Sequence, residues 1–195
     1  MRHGATKGNE EKRYIGSTDE VLSPKGETDL REKSKAGLYP SCQRLYTSPM
    51  RRCLSTADVL YPDMNTKVVF DLAEYHFGIF EGKNYNELNG TPEYQVFLDS
   101  GGTSPIPGAP DLEDYREKCF EAFMKIVDEN LEKAAEKPEN IDVAVICHGG
   151  TIMALLHKLR PLESMYSYQV KNGEGYTLEW QSDGVLGQIF KIGVE

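Results

Sequence analysis

The segment Asp142-Val143-Ala144-Val145-Ile146-Cys147 is a near-continuous apolar run, and His148-Gly149-Gly150-Thr151 follows it directly. A short run without alternation is the composition of a strand covered on both faces. Thr151 to Leu159 then reads as a helix. Upstream, Gln43 to Thr47 is a short strand candidate ending at Ser48-Pro49, and Met50 to Leu60 reads as a helix, with Ser48 as cap and Pro49 at the first helical position. Lys67 to Phe70 is a short β-rich run. Asp111 to Ala135 places apolar residues near helical spacing, among them Tyr115, Cys119, Phe123 and Ile126. Two further strands are expected at Gly175–Trp180 and Leu186–Ile192. Strands alternating with helices predict an α/β fold, a three-layer α/β/α sandwich around a mainly parallel central sheet.

In such sheets ligands bind beyond the carboxyl ends of the strands, which directs attention to the residues there. His148 follows the buried strand and precedes two glycines and a helix start, where free backbone N–H groups favour an anion. A histidine there can donate to a phosphate oxygen; it serves equally well to satisfy a buried strand end. Arg51-Arg52 lie in the first turn of the Met50–Leu60 helix, where cations oppose the macrodipole. A bound phosphate would explain them, because arginine holds phosphate oxygens through paired, charge-assisted bonds. Adjacent helical residues point about 100° apart, so one of the two faces a site and the other solvent. Arg2-His3-Gly4 is weak as a pattern. Together with His148 and one arginine it assembles two imidazoles and two guanidiniums, a set suited to a dianionic phosphoryl group. Glu74 could protonate a leaving oxygen beside such a site, and otherwise reads as a loop glutamate. His76 reads as structural or substrate-facing, His157 as a surface residue.

A chain of 195 residues fits one domain, 1–195, with 78–112 as a cap or lid insertion. Within it, Ser100 to Pro110 is Gly/Pro-rich and long for a connector, as a lid would be. The net charge of −9 argues against nucleic acid and against an anionic membrane surface as partners. No apolar run approaches about 18 residues, and no apolar segment follows the first residues, so neither a membrane span nor a secretory signal is expected. Cys42, Cys53, Cys119 and Cys147 form no Cys-x-x-Cys pair and sit at no zinc-ligand spacing; four reduced thiols in a cytoplasmic protein are expected.

Four stretches in order resemble the motifs of the histidine phosphatase superfamily, the phosphoglycerate-mutase-like enzymes. Arg2-His3-Gly4-Ala5-Thr6 with Asn9 is similar to its Arg-His-Gly-x-Thr-x-x-Asn signature, and Gly16-Ser17-Thr18-Asp19 follows at family spacing. Ser48–Ala57 is similar to the second motif, Glu74–Gly82 to the proton-donor motif, and His148-Gly149-Gly150 to the second histidine motif. The resemblance implies a phosphohistidine intermediate on His3. Arg2, Arg52 and His148 would clamp the phosphoryl oxygens, and Glu74 would act as general acid and then base. Asn9, Gly16, Ser17, Thr18 and the backbone of Gly149 would contact the substrate. It implies no cofactor and no metal, a small phosphate monoester as the ligand, and allows a homodimer. Within the superfamily the chain most resembles α-ribazole phosphatases. A mutase and a non-catalytic phosphate-binding protein of the same fold are the alternatives; the region from Asn89 to Asp114 contains no Lys or Arg to hold a second acidic group, which favours hydrolysis over phosphate return. Two departures stand out. The family has an apolar strand before Arg-His-Gly, whereas here the motif begins at Arg2, where an untethered terminus would fray. Gly108-Ala109-Pro110-Asp111 stands where α-ribazole phosphatases tend to have Gly-Glu-Ser.

Overall fold

A computed structural model describes residues 1–136, 140–181 and 183–194. In chain order the elements are α1 (Lys7–Glu10), α2 (Pro24–Lys35), β1 (Arg44–Thr47), α3 (Arg51–Leu60), β2 (Thr66–Val68), α4 (Tyr85–Leu88), α5 (Pro92–Asp99), α6 (Leu112–Glu136), β3 (Val143–Ile146), α7 (Gly149–Leu159), β4 (Gly175–Trp180) and β5 (Leu186–Ile192). Strands β2, β1 and β3 pair in that order, all parallel, and β4 pairs with β5 antiparallel.

The alternation of side chains along each strand explains the layers. Leu45 and Ile146 pack with Cys53 and Ala57 of α3 on one face. Tyr46, Val143 and Val145 pack with Ala122 and Ile126 of α6 on the other. Cys147 continues that second face and meets Ile152 and Leu156 of α7. The near-continuous apolar run is therefore covered on both sides, as its composition requires.

Residues 1–3 sit between β3 and the segment entering β4. The Met1 amino group donates to Val145 O at 2.6 Å, Cys147 N–H to Met1 O, and His3 N–H to Cys147 O. On the other side Arg2 N–H donates to Glu174 O and Gly173 N–H to Arg2 O. The motif is thus tied down on both edges, which answers the fraying expected of a terminus.

Residues 78–112 fold back on themselves. Gly78, at φ 51°, lies where a Cβ would stand 2.2 Å from Pro107 O, so two backbones meet at the base of this segment. Phe80, Leu88, Tyr94 and Ile106 form its own small core, joined by Tyr75 and packed on Tyr14, Phe97 and Tyr115.

Some boundaries differ from expectation: β2 is Thr66–Val68, with Phe70 already in a 3-10 turn, α7 begins at Gly149, and the start of α3 moves by one residue. The chain stays extended through Met50, and α3 starts at Arg51 with no side-chain cap from its own flank. Asp19 supplies the cap from elsewhere, accepting the Arg51 N–H at 2.7 Å. Ser48 is left for another task.

Candidate active site

Arg2, His3 and the start of α7, which follows β3, open onto one cavity of about 930 Å³. Arg2, His3, Asn9, Glu74 and Gly149 line it. Arg52 and His148 are fully buried behind His3.

His3 is 4% exposed, and its Nδ1 lies 2.7 Å from Gly4 O. A carbonyl only accepts, so Nδ1 carries the proton of the neutral ring and Nε2 keeps its lone pair. Burial, then the charges of Arg52 and Arg2, hold His3 well below the usual histidine range. The ring packs edge-on against His148, with centroids 5.2 Å apart.

His148 caps α7 by position, without a side-chain bond to it. Its Nδ1 faces Arg52 Nε at 3.3 Å, and its Nε2 lies 2.7 Å from Ser48 Oγ. Arginine only donates, so Nδ1 accepts and Nε2–H donates to Ser48. Ser48, read from sequence as a helix cap, is instead the anchor of this imidazole. Both ring nitrogens are therefore occupied by protein, and the direct donation to a phosphate oxygen expected of His148 is not poised here. Burial, then His3, Arg52 and Arg2, keep His148 well below its ordinary value.

Arg52 is the inward member of the Arg51-Arg52 pair; Arg51 is exposed. Its Nη1 donates to Thr18 O and its Nη2 to Gly16 O, both at 2.7 Å. Gly16 and Thr18 thus present carbonyls to the arginine, and with Ser17 they sit outside the cavity wall where substrate contacts were expected. Glu81 holds that loop: its Oε1 accepts from Gly16 N, Thr18 N and Thr18 Oγ1, and its Oε2 from Phe77 N. Burial alone would raise the Glu81 carboxyl, but these bonds outweigh it and hold it below the usual range. His76 Nδ1 meets Ser17 Oγ at 2.7 Å, a structural contact at the edge of the same loop.

Glu74 lines the same cavity as His3. Its Oε1 accepts from Tyr115 Oη at 2.8 Å and Tyr75 N at 3.0 Å, its Oε2 from Gly150 N at 3.1 Å. A Cβ at Gly150 would lie 2.6 Å from Oε1, so a glycine is needed for this approach. Tyr115 Oη also contacts Thr151 Oγ1, and burial followed by Glu74 pushes the phenol well above its ordinary value, keeping it a neutral donor.

Arg2 Nη1 donates to Val170 O at 2.8 Å, while its Nε is buried with no partner among the described residues. Asn9 closes a capping box with Thr6, and its Oδ1 also accepts from Asn172 Nδ2 at 3.0 Å. What Asn9 can still offer a ligand is its two N–H donors. Asn172 further donates to His3 O at 3.1 Å.

Sequence reading passed over Tyr115 and Asn172, and placed Glu81 in the proton-donor motif without its role of holding the Gly16–Thr18 loop. Tyr115 fits the apolar stripe of α6, and its hydroxyl is invisible to periodicity. Asn172 lies in an ordinary turn before β4, with no local signal. His157, read as a surface residue, is half-buried with Nδ1 enclosed, because the last turn of α7 is covered.

The sequence profile of the histidine phosphatase superfamily (branch 1) matches residues 1–190. The chain belongs to the histidine phosphatase superfamily. It is accordingly an enzyme of phosphate-ester chemistry, a phosphatase by family. This histidine phosphatase is 33% identical over 217 residues to a 2,3-bisphosphoglycerate-dependent phosphoglycerate mutase of Corynebacterium diphtheriae, covering 94% of the chain and 84% of that protein. Its fold matches a phosphoserine phosphatase of Entamoeba histolytica in complex with 3-phosphoglyceric acid, with TM-score 0.77 and 25% identity over 96% of the chain and 93% of that structure. It also matches an α-ribazole phosphatase of Shigella flexneri, with TM-score 0.72 and 18% identity over 93% and 89%. No helix among the described residues is long and apolar enough to cross a membrane.

Proposed function

We propose that this chain is a cytoplasmic, metal-independent phosphomonoesterase that hydrolyses a small phosphorylated metabolite through phosphohistidine on His3. The observation that carries this reading is the His3 tautomer. With Nδ1–H committed to Gly4 O, the Nε2 lone pair is the nucleophile, and burial among cations keeps it unprotonated. In the first step Nε2 bonds to phosphorus, the ester oxygen departs, and Glu74 gives that oxygen a proton. In the second, water attacks phosphorus, Glu74 takes its proton, and the N–P bond breaks.

Charge in phosphoryl transfer spreads over the equatorial oxygens, so fixed positive groups lower the barrier. Arg2 Nε, a buried donor without a partner among the described residues, gains one in a phosphoryl oxygen. The Asn9 amide and the Gly149 N–H at the start of α7 add donors. Arg52 and His148 act from behind His3: Arg52 is compensated by carbonyls and not by a carboxylate, so its charge still reaches the site. Residues 78–112 act as a cap whose inner wall selects the leaving group. The four free cysteines suit a reducing compartment. α-Ribazole 5′-phosphate is the first natural ester to test, on the sequence resemblance. Hydrolysis is favoured over mutase-type transfer by the lack of Lys and Arg in 89–114.

The test is hydrolysis of p-nitrophenyl phosphate in excess EDTA by wild type and His3→Ala, with acid-labile, alkali-stable phosphate on the protein traced by mass spectrometry. Turnover lost in the variant, and phosphate mapped to His3, are expected. Near-wild-type turnover by His3→Ala would exclude His3 as nucleophile, and dependence on added metal would exclude the metal-free route.

A further inference from the structure

In the proposed reaction Glu74 gives a proton in one step and takes one in the next, so the oxygen that holds this proton decides where the acid points. Arg2 and Glu74 lie over successive glycines at the start of α7. A Cβ on Gly149 would stand 3.4 Å from Arg2 Cζ, and one on Gly150 2.6 Å from Glu74 Oε1. The acid is thus beside the guanidinium assigned to the phosphoryl group, where its orientation bears on the reaction.

A carboxyl group offers two acceptor sites on each oxygen. On Oε1 both are taken, one by Tyr115 Oη at 2.8 Å and one by Tyr75 N–H at 3.0 Å. On Oε2 one is taken, by Gly150 N–H at 3.1 Å. The fourth site, on Oε2, receives no donor among the described residues, and it is the place left for the proton. Two of the three donors are backbone groups. Tyr115 is the side chain whose loss would open a second site, on the other oxygen.

Tyr115 is itself held from several directions. Its hydroxyl meets that of Thr151, which is fully buried, at 3.0 Å. Tyr115 gives its one proton to Glu74, so Thr151 is the donor of that pair. The Tyr75 and Tyr115 rings pack with centroids 5.2 Å apart. Helix α6 is also fastened to the chain on either side of Glu74. Tyr75 Oη donates to Pro110 O at 2.8 Å, just before the helix, and Cys119 Sγ, one turn after Tyr115, donates to Asp71 O at 3.2 Å. A phenol that only needed a partner for its hydroxyl would be satisfied by Thr151; the second contact aims it at the acid.

We infer that Tyr115, steadied by Thr151, is a positioning residue that occupies Oε1 of Glu74 and so reserves Oε2 for the catalytic proton. This rests on the phosphatase reading above. The same bonds fit both charge states of the acid. With the proton on Oε2, Oε1 is a carbonyl oxygen accepting two hydrogen bonds, and in the carboxylate it accepts the same two. In the first step the Oε2 proton passes to the departing ester oxygen as His3 Nε2 bonds to phosphorus. In the second, a proton of the attacking water passes to Oε2 as the N–P bond breaks. The carboxyl group has no need to turn between the steps, so the site is organised before either one.

The test reads kcat/KM for substituted phenyl phosphates from p-nitrophenyl to p-methoxyphenyl, which share a phosphoryl group and differ in how much the leaving oxygen needs a proton. Tyr115→Phe keeps the ring and loses the hydroxyl. General acid catalysis is worth about 100-fold or more, so this variant should lower kcat/KM about tenfold for the p-methoxyphenyl ester and less than about twofold for the p-nitrophenyl ester. Thr151→Val should act in the same direction by a smaller factor. In a Glu74→Gln background no transferable proton remains, and adding Tyr115→Phe should change either ester by less than about twofold. A merely structural Tyr115 would lower both esters alike and go on doing so without the acid. Equal losses across the series, or a full loss persisting in Glu74→Gln, would overturn the role. If wild type turns over none of the esters, the phosphatase reading falls, and crystal structures judge the positioning role by itself. A Glu74 carboxyl that keeps its place in Tyr115→Phe would count against it, and one that turns away from Gly150 or divides between orientations would support it.

Discussion

His3 shows how one backbone carbonyl sets the chemistry of a side chain. Gly4 O takes the Nδ1 proton, and Asn172 and Cys147 fix the backbone on either side. Because burial and two arginines depress its pKa, the neutral ring should persist in mild acid. Nitrogen-15 NMR of the ring should show the Nδ1–H tautomer at pH 5.5, and an imidazolium signal near pH 6.5 would contradict it. The same shift has a sign for stability. The folded pKa of His3 and of His148 lies below the unfolded value of about 6.5, so the unfolded chain binds more protons below that pH. Tm in a non-binding buffer should therefore hold above about pH 6.5 and fall as pH drops through the folded values. Glu74 offers a second test at this scale. Gly150→Ala pushes a methyl group onto its Oε1, against a side chain and not against backbone. Displacement of about 1 Å costs on the order of 100-fold in rate. Alkyl phosphates should suffer more than p-nitrophenyl phosphate, whose leaving group needs less protonation, with Tm little changed. Equal loss on both would remove Glu74 from the acid role.

At the scale of elements, the site depends on loops that hold one another. Arg52 enters from α3, whose first N–H is capped by Asp19 of the same loop that offers the Gly16 and Thr18 carbonyls. Glu81 joins that loop to the Phe77 turn. Glu81→Gln keeps the shape but replaces one acceptor oxygen with a donor. A stability loss of about 1–3 kcal/mol is expected from the bonds it unmakes, read by urea denaturation, together with slower turnover because Arg52 loses its support. Unchanged activity in a folded variant would mean that the loop does not position Arg52. The base of the 78–112 segment rests on a different device, the backbone contact of Gly78 with Pro107, which only glycine at that φ allows.

Across the whole molecule, the site gathers residues far apart in sequence, from Arg2 to Asn172, onto one edge of the sheet. Anything that fills it links β3, the Met1–His3 segment and the approach to β4. Inorganic phosphate at about 100 times its Kd should stabilise the fold by about 2.7 kcal/mol, a rise of roughly 5–10 °C in Tm for a chain of this size. Thermal melts in phosphate against sulfate-free, phosphate-free buffer check this. Arg2→Ala should lose most of the rise, because it removes a donor buried at the site, and full retention would place the anion elsewhere.

The parallel α/β architecture was legible in the sequence, because a strand buried on both faces must be apolar nearly throughout, and Asp142–Cys147 is. The arrival of His3, Arg52, Glu74 and His148 near one another was legible as four motifs in order. Their division of labour was not. The resemblance picked Arg52 over Arg51, but helix geometry gives that choice only once the start of α3 is placed, and Asp19, 32 residues upstream of Arg51, caps that start. The pairing of Ser48 with His148 spans 100 residues, and that of Asn172 with Asn9 spans 163. Local pattern carries backbone preference and the face of a strand or helix. The tautomer of a histidine, the partner of a guanidinium and the wall of a cavity depend on hydrogen bonds between segments brought together only by packing, and those the tertiary structure alone decided.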